Sequence, residues 1–357
     1  MLSIVGGSDH LNPAISRLFK SFFGDSFECR LKSASLAFTR GNLMKAIQRK
    51  RELSVLAPNV RTGVFCLAVC LTSAVTFNPF DTARALAQQT VAVEQSPGQI
   101  KSPCPEISWK SSKEFEESIR SCRKNEDTKY LEQRYSRALV LMNNKDLVRD
   151  REIRAFLLTP REKFCRPWNL SRAYDHAYLD IHYGVTISGP HLVGRMTSAL
   201  DVQPGEKVLE IGTGSGYHSA MLSNLTDKIY TVEIIAPLAK ETDGIYEQLA
   251  NSGYSEYAKI KRKSDDGYYG WEEFAPFDKI IVTCGIDHIP PPLLKQLKVG
   301  GVMIIPVGPP GAQVILKVSK KQDEQGNIVI SREDIYHGRK KEAFVPLTNK
   351  EGGTHFK

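Results

Sequence analysis

One stretch, residues 207–217 (KVLEIGTGSGY), constrains the fold of this chain more than any other feature. Val208, Leu209 and Ile211 form a short apolar run of the length and β-branched character of a buried parallel strand. Gly212, Thr213, Gly214, Ser215 and Gly216 then predict a tight turn whose backbone comes close to a ligand. Residues 217–225 read as a helix, with Ala220, Met221 and Leu225 available to pack. A strand, a glycine turn and a helix N-terminus bring bare N–H groups and the positive end of the helix to one point. The next strand, residues 228–234, carries Glu233, placed to accept hydrogen bonds from a ribose diol.

The glycine spacing narrows the ligand. A dinucleotide fingerprint needs G-x-G-x-x-G. This chain has G-x-G-x-G, and Tyr217 stands where the third glycine would fall. Glu210 precedes the turn, which suits a cationic ligand without phosphate, such as the amino-acid end of S-adenosylmethionine. A turn that merely tightens a strand–helix junction is the bland alternative, and Glu233 at the right distance argues against it.

The length of 357 residues accommodates one large domain with additions, and 41% hydrophobic residues suffice for a core. A net charge of +8 hints at nucleic acid until it is divided along the chain. Residues 1–62 hold a balance of +6, whereas everything from Gln88 onward holds only +2. The excess belongs to the leader, so no nucleic-acid partner is expected. In that leader Arg49, Lys50, Arg51 and Arg61 precede an apolar run over residues 63–77, and Ala85-Leu86-Ala87 follows. These are the three regions of a secretory signal, with cleavage before Gln88, although its length is excessive and Met44 is an alternative start. The run is too short to span a membrane, so no stable span is expected once residues 1–87 are removed. A periplasmic or secreted location follows; an organelle transit sequence, an uncleaved anchor or a cytoplasmic location is the alternative. Cys29, Cys66 and Cys70 lie in the leader. Of the other four, Cys104 and Cys122 either close a disulfide in an exported protein or remain free thiols.

Residues 88–129 read as an N-terminal extension, beginning with a Gln-, Ser- and Pro-containing linker over 88–105. A short helix is expected over 112–123, with Phe115, Ile119 and Cys122 on one face. From Tyr130 the recurrence of Leu131, Tyr135, Ala138, Leu139 and Met142 predicts a second helix, and residues 150–158 a third, stopping before Thr159-Pro160. Residues 161–183 are irregular, with Phe164, Trp168, Tyr174 and Tyr178 as packing anchors. Helices are expected over 192–200, 237–251 and 290–297, and strands over 258–263, 277–283 and 302–307. Residues 313–319 and 328–331 form an antiparallel pair. Strand and helix alternate, giving a three-layer α/β fold with a doubly wound, mostly parallel sheet and an antiparallel C-terminal hairpin. In such a sheet Asp266 lies on the same rim as Gly212 and Glu233, where a carboxylate accepts from an adenine amine. Its bland alternative is an Asx-turn before Gly267, and that of Thr186 or Ser188 is a helix N-cap. His191 is more often structural than catalytic. No histidine pair has the spacing of a helical zinc site, so no metal is expected.

The stretch from about Tyr130 to Thr348 closely resembles the protein-L-isoaspartate (D-aspartate) O-methyltransferases, so residues 130–350 are read as the catalytic domain and residues 351–357 as a tail. The matching segments include VLEIGTGSGYHSAMLS, DDGYYGW, APFDKIIVT, IPPPLLKQLKVGG, IIPVG and FVPLT. Thr186-Ile187-Ser188 with Pro190-His191 resembles that family's active-site segment. Departures are Val185, where the family has Gln, Asp265, where it has Gly, and residues 284–288, where it has an Ala-rich run. The resemblance implies a Rossmann-like methyltransferase fold with S-adenosylmethionine held by Glu210, Gly212, Thr213, Gly214, Ser215, Gly216, Glu233, Asp266, Gly267 and Thr283. It implies Ser188 as the catalytic residue, with Thr186, Ile187 and His191 at the substrate, a damaged, isoaspartyl-containing protein.

The implied acceptor is an α-carboxylate, which titrates near 3.5 and is already ionised at neutral pH, so no general base is required. Catalysis then rests on alignment, worth up to about 7–11 kcal/mol. Ser188 would orient the carboxylate, and backbone near Ile187 and His191 would hold the peptide. The methyl ester would close to a succinimide, beginning repair. Two other readings compete: a methyltransferase for another carboxylate or small molecule, suggested by Val185, and a non-catalytic interaction module. Cofactor titration separates the last from the others, and matched isoaspartyl and aspartyl peptides separate the first two.

Overall fold

The computed structural model describes Cys104 and residues 106–357; the expectations for the leader, for Met44, for cleavage before Gln88 and for most of the 88–105 linker lie outside them. Three helices open the described chain: α1 (Ser112–Cys122), α2 (Thr128–Asn143) and α3 (Asp150–Leu158). A two-stranded antiparallel ribbon follows, β1 (Leu179–Asp180) with β2 (Thr186–Ile187), and then helix α4 (Pro190–Leu200). The remaining elements alternate: β3 (Lys207–Ile211), α5 (Tyr217–Leu222), β4 (Lys228–Glu233), α6 (Ala236–Ala250), β5 (Lys261–Ser264), β6 (Phe277–Val282), α7 (Pro291–Gln296) and β7 (Leu297–Val307). Strands β8 (Val314–Gln322) and β9 (Ile328–Asp334) complete a seven-stranded sheet of order β5-β4-β3-β6-β7-β8-β9. The first five strands in that order run parallel, and β7–β8 and β8–β9 are antiparallel. This is the expected α/β arrangement, and β3 lies at its topological switch point, between β4 and β6.

Period-two alternation divides the core. Val208, Ile229, Ile281 and Ile304 face one hydrophobic cluster with helices α1 to α6. Their chain neighbours Leu209, Tyr230, Ile280, Met303 and Ile305 face a second cluster with α7. The first cluster includes Phe115 and Ile119 of α1, within the segment read as an extension. A disulfide joins Cys104 to Cys122 at the end of that helix, settling in favour of pairing a choice the sequence left open. Buried ion pairs also tie this segment down. Arg123 pairs with Glu256, and Glu126 pairs with the fully buried Arg134 at 2.6 Å. Tyr254 donates to Glu126 at 2.8 Å.

Several local expectations need correction. Trp168 and Tyr178 do not anchor packing; they are 53% and 72% exposed, while Phe164 and Tyr174 are buried. Residues 161–164 and 167–172 are short 3-10 turns and Tyr178 follows them in irregular chain, so aromatic content alone gave no direction there. Leu139 is exposed, because α2 buries Leu131, Arg134, Ala138 and Leu141, a stripe one residue to its side. Helix α5 stops at Leu222, not Leu225: Ser223 Oγ and Asn224 Nδ2 both donate to the Ala220 carbonyl and compete with the next helical bonds. Residues 258–259 belong to a 3-10 turn that buries Tyr257, so β5 starts at Lys261. Strand β7 starts at Leu297 and runs through Gly300-Gly301, where the register against β6 shifts. A Cβ on Gly301 would lie 2.8 Å from the Lys298 carbonyl, so only glycine passes. Among the described residues no helix is long and apolar enough to cross a membrane.

Candidate functional site

A cavity of about 250 Å³ opens where β3, β4 and β6 end. Gly212, Thr213, Gly214 and Ser215 line it, as do Glu210, Glu233, Gly267 and Thr283. Thr186, Ile187 and Ser188 line the same cavity, with Tyr183 and Val185. Thus eleven of the fourteen residues expected at the site line one cavity. Gly216, Asp266 and His191 are not among its lining residues.

The glycine turn is fixed from behind. Gly212 N donates to the Val232 carbonyl at 2.9 Å, and Thr283 Oγ1 donates to the Gly212 carbonyl at 2.7 Å. A Cβ at Gly212 would lie 2.5 Å from that hydroxyl, and φ there is +92°. Thr283 therefore shapes the turn through its backbone as well as bordering the cavity. Gly216 is held to glycine in the same two ways: φ is +86°, and its Cβ would meet Thr242 Cγ2 and the Tyr246 hydroxyl, both at 2.7 Å. That is the close approach of α6 to the turn.

Two carboxylates face the cavity from the strand ends. Glu233 accepts from Gly214 N at 2.8 Å and Ile235 N at 2.9 Å. Burial raises its pKa, and these backbone donors oppose the rise. Glu210 is fully buried; its Oε2 accepts from Ser219 and, at 2.7 Å, from Thr231. Its Oε1 has no protein partner. Burial pushes its pKa up to about 7 against the pull of those two hydroxyls. A buried acceptor left open beside a cavity fits the ammonium of an amino acid, and a cradle that admits no Cβ at Gly212 or Gly267 fits close backbone contact. The residues present therefore fit S-adenosylmethionine.

The segment that brings Thr186, Ile187 and Ser188 to the cavity is built on a strained turn. His182 and Tyr183 have φ of +77° and +58°, left-handed values rare for such residues, and Gly184 follows at +71°. The turn delivers β2 to the cavity, and its Tyr183 hydroxyl donates to Glu241. Helix α4 begins with Gly189 as N-cap and Pro190 in its first turn, and no side chain caps it. The N-cap explanation for Thr186 and Ser188 is thereby removed. His191, expected at the substrate, instead stacks on His176 with ring centroids 3.6 Å apart. Burial, then the neighbouring positive groups, hold it near pKa 4, so the ring is neutral.

Asp266 does not itself line the cavity. It lies just behind the cavity-lining Gly267 with its Oδ1 accepting from Tyr268 N, the Asx-turn weighed against it. Both its oxygens also meet His355 Nε2, at 3.0 and 2.9 Å. His355 was missed, as were His218 and Val345-Pro346-Leu347-Thr348, which line the cavity. FVPLT stood out among the matching segments, but nothing local in it signals that the chain returns here. His218 is bound through Nε2 to Thr197 Oγ1 at 2.9 Å, and burial lowers its pKa to about 3.

Comparison with known proteins agrees with this geometry. Residues 135–352 match the family model described as protein-L-isoaspartate(D-aspartate) O-methyltransferase. The chain is 43% identical over 192 residues to protein-L-isoaspartate O-methyltransferase 2 of a Polaromonas species, covering 54% of this chain and 84% of that one. It is 40% identical over 226 residues to the Dictyoglomus thermophilum protein-L-isoaspartate O-methyltransferase, covering 63% and 96%. A solved protein-L-isoaspartate O-methyltransferase structure superposes with a TM-score of 0.51 at 27% identity, covering 62% of this chain and 67% of that one.

Proposed function

The chain belongs to the protein-L-isoaspartate(D-aspartate) O-methyltransferase family, and from that premise we infer how its cavity performs the family's reaction. The reaction is S-adenosylmethionine-dependent methylation of L-isoaspartyl residues in damaged proteins, which starts their repair. The observation that carries the assignment is the single cavity joining the Gly212–Ser215 turn to Thr186-Ile187-Ser188.

S-adenosylmethionine, when bound, supplies a methyl group already activated on a sulfonium. Glu210 receives the amino-acid ammonium, the turn backbone holds the amino-acid end, and Glu233 accepts from the ribose. Asp266 accepts from the adenine amine. On the acceptor side Ser188 Oγ donates to the isoaspartyl carboxylate, and the Thr186–Ile187 backbone holds the peptide. That carboxylate is ionised at neutral pH, so the chain needs to orient it and exclude water, not deprotonate it. Burial holds the cavity-lining His218 near pKa 3, which makes it a weak proton acceptor and fits a reaction that needs no base.

Ser188→Ala tests the assignment. At saturating cofactor its kcat for an isoaspartyl peptide falls on the order of 10²-fold, the cost of a lost orienting donor. Because Gly189 is the cap, its melting temperature stays at the wild-type value. A variant that melts lower yet turns over normally would refute the role.

The location is also proposed: export, with residues 1–87 removed. The sequence of that leader supports it, as does the Cys104–Cys122 disulfide, a bond that persists in oxidising compartments. N-terminal sequencing of protein from its host should begin at Gln88; intact residues 1–87 on the soluble protein would contradict it.

A further inference from the structure

Residues 349–357 fold back onto the loop that follows β5. Asn349 N donates to the Gly353 carbonyl at 3.0 Å and His355 N to the Leu347 carbonyl at 3.0 Å, with Thr348 bridged to Thr354. Three contacts fasten this hairpin to the cofactor side of the sheet. Lys350 pairs with Asp265 at 2.6 Å, and Lys357 N donates to Asp287 at 2.7 Å. Between them His355 Nε2 meets both oxygens of Asp266, while its ring lies parallel to Tyr268, centroids 4.2 Å apart and planes 16° from parallel.

A carboxylate only accepts, so Nε2 carries the proton and one N–H is shared between the two oxygens. Oδ1 accepts in addition from Tyr268 N at 2.9 Å. A carboxylate offers about four acceptor positions. Oδ1 is therefore filled, and Oδ2 keeps one position open. The imidazole is itself held by stacking and by the hairpin, so it fixes the plane of the carboxylate rather than following it. A fixed acceptor binds more tightly than one that must reorient from water, because the ordering is done before the ligand arrives.

We propose that His355 is a positioning residue for the adenine end of the cofactor, locking the Asp266 carboxylate so that Oδ2 remains available to the exocyclic amine. The proposal rests on the reading of Asp266 as the amine acceptor. It makes the last residues of this sequence part of nucleoside recognition, acting through Asp266 and not by contact with the reacting atoms.

The test measures binding of S-adenosylhomocysteine and of its inosine analogue, in which an oxo group replaces the amine, by calorimetry on the whole protein. His355→Ala should weaken S-adenosylhomocysteine about tenfold, on the scale of one hydrogen bond to a charged group, and leave the inosine analogue unchanged. His355→Gln, which keeps a donor, should restore most of the loss. In turnover the change should appear in the cofactor KM, with kcat at saturation and the KM for isoaspartyl peptide within about twofold of wild type. Adding His355→Ala to Asp266→Ala should weaken binding no further. Tighter binding by His355→Ala would overturn the proposal and mark the hairpin as a competitor for the site. Unchanged binding, or equal losses for both nucleosides without rescue by Gln, would also overturn it. Unchanged binding in Asp266→Ala alone would refute the acceptor assignment, and the proposal with it.

Discussion

Glu210 and Glu233 sit one strand apart at the same rim, and their surroundings set them different tasks. Glu233 is partly satisfied by two backbone N–H groups, whereas the buried Glu210 keeps an oxygen with no protein partner. The consequence is a pH dependence with a definite sign. The folded protein holds a proton on Glu210 up to about pH 7, while the unfolded chain releases it near 4.5. Stability of the ligand-free fold therefore falls as pH rises from about 4.5 to about 7, and levels off above. A cation at Oε1 reverses the preference, so cofactor binding near pH 6 should release a proton. Calorimetry in buffers of different ionisation enthalpy should detect that release in wild type and not in Glu210→Gln. The Gln variant should also lose part of the stability slope, the raised Glu233 supplying the remainder. Equal proton release in both proteins would remove Glu210 from the ammonium site. Both carboxylates were legible because strand, turn and strand lie close together in sequence. Asp266 was legible as a rim residue, but its partner His355, 89 residues later, was not.

At the scale of elements, legibility followed local physics. The strand β3 and the α3 boundary follow from a β-branched run and from proline, whereas α4 starts at Pro190, two residues before the helix expected over 192–200 and without the side-chain cap weighed for it. Misplaced boundaries occurred where a side chain or a tertiary contact overrode propensity. Ser223 and Asn224 take the carbonyl that α5 would need, and the close approach of Asp278 at Gly301 lets β7 continue through a glycine pair. Trp168 and Tyr178 were misread for a related reason, since an aromatic in an irregular segment carries no period to say which way it points. Two departures from the family resemblance, Asp265 and Asp287, receive the C-terminal hairpin through Lys350 and the Lys357 backbone. A single-sequence reading sees these substitutions but not their use, because the contacts span 85 and 70 residues.

For the whole molecule, the fold brings the Gly212–Ser215 turn and the Thr186–Ser188 segment to one cavity, and helix α1 with its disulfide joins the same core from outside the family match. Arg123–Glu256 and Glu126–Arg134 are buried pairs that connect this addition to α2 and to the turn before β5. The central claim is that the cavity recognises an α-carboxylate displaced by one methylene from its ordinary place in the backbone. An alignment mechanism without a base must be sensitive to that displacement, since effective molarity is lost when the reacting atoms are moved by about 1 Å. The direct measurement is the initial rate of methyl transfer from S-adenosylmethionine to two peptides of identical sequence, one carrying L-isoaspartate and the other L-aspartate at the same position. The account predicts transfer to the isoaspartyl peptide, with the ester decaying to succinimide and then in part to the aspartyl form, and a rate at least about 10²-fold lower for the aspartyl peptide. Equal rates for the two peptides, or transfer to neither in a protein that binds the cofactor, would contradict it.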